Sequence, residues 1–137
     1  MKQIFLSLIA ASFFALPVSA HEGHDHDGPA MVQAPKGGVI KSLEEVHVEV
    51  ISKGKDIKVY LYNKDLKPAD ASQFKIKLKA ELPRSKKTEE LTYKTEAHHL
   101  EASFDAKGAH RYNLIVLITD AKQGHEDKLT FTVEPRK

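Results

Sequence analysis

Phe74-Lys75-Ile76-Lys77-Leu78-Lys79-Ala80-Glu81-Leu82 alternates apolar and charged side chains without a break. A period of two belongs to an extended strand with one face on a core and the other in water. A helix would need apolar residues three and four apart. The same period appears upstream. In Val46-His47-Val48-Glu49-Val50 the valines point one way and His47 and Glu49 the other. Ile57, Val59 and Leu61 alternate with Lys58, Tyr60 and Tyr62. Downstream come a weaker run (Leu91, Tyr93, Thr95), a further one (Leu100, Ala102, Phe104) and a closing run, Leu129-Thr130-Phe131-Thr132-Val133. Tyr112-Asn113-Leu114-Ile115-Val116-Leu117-Ile118 is apolar on both faces, as expected of an interior strand.

The connectors carry turn chemistry: Lys53-Gly54-Lys55-Asp56, Lys67-Pro68-Ala69-Asp70, Pro83-Arg84-Ser85, Ala106-Lys107-Gly108 and Lys122-Gln123-Gly124. About seven or eight short strands at this spacing predict an all-β fold, an antiparallel sandwich of immunoglobulin-like type over residues 39–137. The row Lys75, Lys77 and Lys79 reads as a solvated sheet face whose charge opposes edge-to-edge pairing.

The first twenty residues follow a different logic. Lys2 precedes an apolar stretch from Ile4 to Leu16, and Val18 and Ala20 give a small-x-small ending. These are the parts of a secretory signal peptide, with cleavage expected after Ala20. The apolar stretch falls short of the roughly 20 residues that span a bilayer. No cysteine is present, so disulfides are excluded, and the expectation is a soluble exported protein without a stable membrane anchor. Twenty-one basic residues against nineteen acidic ones leave no field that favours nucleic acid. Residues 21–38 hold two prolines, four glycines and few apolar side chains, and read as a flexible tail and linker.

All eight histidines follow Ala20, and His21, His24 and His26 crowd the first six positions after it. With Glu22, Asp25 and Asp27 they form a strip of potential donors to one ion. Neutral imidazole ligates zinc, copper(II) and nickel without first losing a proton near pH 7. After cleavage, the free amine and ring of His21 could also chelate together, which favours copper(II). Soft copper(I) would call for Cys or Met, whereas the chain has no Cys and Met31 is its sole methionine beyond the leader. Zinc and copper(II) are therefore the expected metals, with nickel and cobalt in the same class. A second group follows from strand parity: His98 and His99 at one turn and His125 at another should share one end of the sandwich, near Asp120. The competing reading of both groups is that they are ordinary polar residues. His47 and His110 are expected to be structural or solvated. No nucleophile elbow, phosphate-cradling loop or His-Glu-x-x-His helix is present, so the chain is not expected to be an enzyme. A copper oxidase built on His21 is the one catalytic alternative.

Ala34-Pro35-Lys36-Gly37-Gly38-Val39-Ile40, then Val46-His47-Val48-Glu49-Val50, Ile57-Lys58-Val59-Tyr60-Leu61-Tyr62 and Lys67-Pro68 resemble the N-terminal β-domain of periplasmic adaptor subunits of heavy-metal efflux pumps, and related small stand-alone periplasmic proteins. The likeness covers about residues 21–70. It implies an immunoglobulin-like sandwich, a Gram-negative periplasm and the handling of metal ions, with a metal-efflux complex or another periplasmic protein as partner. Lys36 stands where the adaptors often carry a histidine, so the metal theme passes to His21, His24 and His26 alone. The expected function is capture or buffering of a divalent transition metal. The alternative is a secreted structural or protein-interaction sandwich with an incidental histidine-rich tail.

Overall fold

In the computed structural model, residues 32–135 are described, and they form two antiparallel sheets. Nine strands follow in chain order: β1 (Val39–Ser42), β2 (Val46–Lys53), β3 (Asp56–Asn63), β4 (Phe74–Glu81), β5 (Thr88–Leu91), β6 (Tyr93–Thr95), β7 (His99–Ser103), β8 (Tyr112–Asp120) and β9 (Glu126–Val133). One sheet has the order β1-β2-β3-β7-β6 and the other β5-β4-β8-β9. A single 3₁₀ turn, Ala71–Gln73, leads into β4, and the Asp70 carboxylate caps it by accepting the Ser72 N–H at 2.9 Å.

The alternation in the sequence becomes the two faces of each sheet. Val46, Val48 and Val50 of β2 and Ile57, Val59 and Leu61 of β3 point inward. They meet Ile76, Leu78 and Ala80 of β4 and Leu114, Val116 and Ile118 of β8 across one continuous core. Tyr112 and Phe131 are its largest fully buried side chains, and Tyr112 packs tilted on Phe104 with ring centroids 4.7 Å apart. β8 lies between β4 and β9, the interior position expected of a strand apolar on both faces. Its outward Ile115 is nonetheless buried and Leu117 half-buried.

Three features depart from the sequence reading. The fifth run divides at Thr92: β5 pairs with β4 through Leu78↔Leu91, while β6 pairs with β7 in the other sheet. The chain thus changes sheets in one residue, and the Tyr93 hydroxyl reaches back to the Ile76 carbonyl at 2.6 Å. Second, β8 pairs along all of β4 but β5 covers only Leu78–Glu81, so Lys79 lies on an interior stretch while Lys75 and Lys77 lie on the stretch that β5 leaves uncovered. All three line an outer face on which Lys79 stands opposite Glu90. Third, residues 34–38, which composition groups with the linker, are hydrogen-bonded to β2 as part of the folded unit.

Candidate functional site

The strip Glu22 to Asp27, with His21, His24, Asp25 and His26, lies outside the described residues, as does the expected signal peptide. The histidines of the second group are described. The Tyr60↔His99 pairing puts the β6–β7 turn at the end of the sandwich where β3 finishes. The Phe74↔Asp120 pairing puts the β8–β9 turn at the end where β4 begins, after the ten-residue connection from β3. Both turns therefore open at one end, but their imidazoles are engaged separately.

His99 stacks on Tyr60, with centroids 4.9 Å apart and planes 26° from parallel, and its Nε2 lies 3.0 Å from Glu101 Oε1. Lys58 Nζ approaches the same oxygen at 3.4 Å. His99 first, and Lys58 with it, hold the Glu101 carboxyl below its ordinary range. His125 Nε2 lies 3.2 Å from Asp127 Oδ1, in a separate small cleft with Glu44, Glu45 and Asp120. His98 is exposed; Asp70 is held below the ordinary carboxylate range chiefly by its hydrogen bonds from Ser72, with a smaller electrostatic contribution from His98. Among the described residues no group of three or more His, Asp or Glu side chains is placed to hold a metal ion. His47 is tied to its own sheet, with Nδ1 2.7 Å from Ser42 Oγ, and His110 is exposed at the opposite end.

The most tightly built polar site lies elsewhere. Glu49 points outward from β2, yet it is fully buried. The segment Ala34–Gly38 crosses over it, and its carboxylate gathers the donors of that turn. Gly38 N–H donates to Oε1 at 2.7 Å. Lys36 N–H is shared between Oε1 and Oε2 at 3.1 and 3.3 Å. The Tyr62 hydroxyl donates to Oε2 at 2.8 Å. A buried carboxylate is costly unless its lone pairs are met, and both oxygens here are met. Burial first, then the Glu49 hydrogen bond and charge, push the Tyr62 phenol well above its ordinary range, so it stays a donor.

Two glycines make this approach possible. Gly37 has φ +78°, a left-handed conformation that L side chains rarely adopt. At Gly38 a Cβ would lie 2.5 Å from the Val50 carbonyl oxygen and 2.7 Å from Ile51 Cγ1. The turn then sends Lys36 Nζ over the Tyr60 ring, 5.0 Å from its centroid, and the same ring stacks on His99. Strand parity could place Glu49 on the outer face but could not reveal its cover. The signal in the sequence is the pair Gly37-Gly38, which reads as an ordinary turn until an acid is found beneath it.

No family model, curated protein or solved structure matches the chain.

Proposed function

We propose that this protein is exported to the periplasm of a Gram-negative cell and captures or buffers a divalent transition metal there, zinc or copper(II). The ligands are His21, His24 and His26, with Asp25 among the carboxylates beside them. The two-sheet body, read as immunoglobulin-like, carries that segment and offers a surface to a metal-efflux complex or another periplasmic protein. One observation carries the reading: three imidazoles and three carboxylates fall within seven residues, directly after a leader-like stretch. The clamped turn adds support. Glu49 holds Lys36 and Gly38 on the outer face of β2, which gives the preceding chain a rigid point of attachment. The turn also falls within the stretch that resembles metal-efflux adaptor domains.

Calorimetric titration of the processed chain, beginning at His21, with zinc and copper(II) against a weak chelator tests this. Binding of one ion per chain that disappears in a His21/His24/His26→Ala variant is the expected result. Imidazole must be neutral to ligate, so affinity should fall as pH drops through about 6.5. Weak or multiple binding that survives the triple substitution would favour the interaction-domain reading instead, and pull-downs with and without chelator would then look for the partner.

A further inference from the structure

The end of the sandwich opposite His98 and His125 has the reverse electrostatic character. There the loop after β4 (Leu82, Pro83, Arg84, Ser85) and the loop before β8 (residues 106–111) enclose an open cleft of about 610 Å³. Its lining includes Arg84, Lys107, His110 and Arg111, and no carboxylate. The two acids that directly precede the lining segments in sequence, Asp105 and Glu81, are engaged elsewhere. Asp105 accepts from Lys55 Nζ at 2.8 Å and from the Lys107 N–H at 2.9 Å. Glu81 faces Asn113 across the β4–β8 pair, and its Oε1 takes the amide at 3.4 Å.

Ion pairs elsewhere in the described residues neutralise Lys55, Lys58 and Lys64. Among the described residues, Arg84, His110 and Arg111 make no such pair. Two guanidinium groups are thus brought to one concavity by loops from adjacent, hydrogen-bonded strands, and no carboxylate is among the residues that line it. A guanidinium fork matches the oxygens of a phosphate in a bidentate way, and its charge persists at any physiological pH. A phosphate carries about 1.5 to 2 negative charges near neutrality, more than a single carboxylate, and so better offsets several cations around one cleft.

We propose that this cleft is a binding site for a phosphate-bearing ligand, held by Arg84 and Arg111 with Lys107 and His110 beside them. The site is independent of the metal-binding reading, because it uses none of the residues in 21–27.

The test is amide NMR of the processed chain titrated with inorganic phosphate and pyrophosphate, with acetate at matched ionic strength as the control. The expected result is saturable shifts confined to residues 82–85 and 106–111, stronger with pyrophosphate. Binding should weaken at least about tenfold in R84Q/R111Q. Both arginines are exposed, and an unchanged melting temperature would show that the variant still folds. A K75Q/K77Q variant, altered on the outer face of β4, should bind as the parent does. Co-sedimentation with vesicles containing phosphatidic acid, a phosphate monoester, but not with phosphatidylcholine vesicles, lost in R84Q/R111Q, would place the phosphate on a lipid. Phosphate binding without sedimentation would place it on a soluble ligand. Shifts that do not saturate, that acetate reproduces, or that R84Q/R111Q retains would overturn the proposal.

Discussion

Glu49 and Tyr112 are both fully buried polar residues, and the fold treats them in opposite ways. Glu49, on the outer face of β2, has both carboxylate oxygens engaged by Lys36, Gly38 and Tyr62. Tyr112, on the inner face of β8, has a hydroxyl with no hydrogen-bond partner among the described residues. The first is a built polar site that fixes a turn. The second is an aromatic ring that fills the core beside Phe104, with an oxygen the core does not use. Burial alone therefore says little about what a polar group contributes; the count of its partners does.

The largest effect should come from breaking the first site. Glu49→Ala leaves the Tyr62 hydroxyl and two backbone N–H groups without their acceptor, and should cost about 3 kcal/mol in urea denaturation. A loss below about 1 kcal/mol would mean that the turn rehydrates freely.

Alkaline pH acts on both sites at once. Burial pushes the Tyr112 phenol up to about 12, against about 10 in an unfolded chain, and Tyr62 is raised as well. The folded protein thus keeps protons that the unfolded chain has released. Stability is fully present below about pH 10 and is lost as pH rises through about 12, by roughly 2 to 3 kcal/mol for a shift of this size. Denaturation midpoints measured from pH 9 to 12 would reveal the fall, and Tyr112→Phe should make it shallower.

Gly38→Ala drives a methyl group into the Val50 carbonyl and should cost about 2 kcal/mol, in the range for overpacking. Tyr62→Phe removes one hydrogen bond to a charged acceptor, for about 1.5 kcal/mol. Tyr112→Phe should change stability by less than about 0.5 kcal/mol, or raise it, since it deletes a buried hydroxyl that has no partner. A Tyr112→Phe loss as large as that of Tyr62→Phe would erase the distinction between the two sites.

The sequence makes β4 and β8 legible for different reasons: strict alternation in one, and apolar residues on both faces in the other. The division at Thr92 is not legible, because an extended backbone that changes sheets keeps the same local period on either side. Which strands are neighbours is equally hidden. Whether Lys75, Lys77 and Lys79 guard an edge depends on how far β5 extends along β4, and only the pairing, which stops at Leu78, establishes that. Parity could predict which end of the sandwich carries His98, His99 and His125. It carries no information on lateral distance, and His99 is turned onto Tyr60 while His125 faces Asp127. Glu49 escapes notice for a related reason: its parity is that of a solvated residue, and what buries it is a turn eleven residues away.

The Lys41 ammonium donates to the Thr130 carbonyl, so the first strand of the sandwich meets the last across 89 positions of sequence. The pairing of β4 with β8 likewise closes over separations of 32 residues or more. The four-stranded sheet cannot be completed until β9, the strand that covers β8 and the last of the described strands, has been made. Contacts so distant in sequence also slow the search for the native state. The strands of the five-stranded sheet are all present by Ser103, but the core they cover stays open until β8 and β9 arrive to close it.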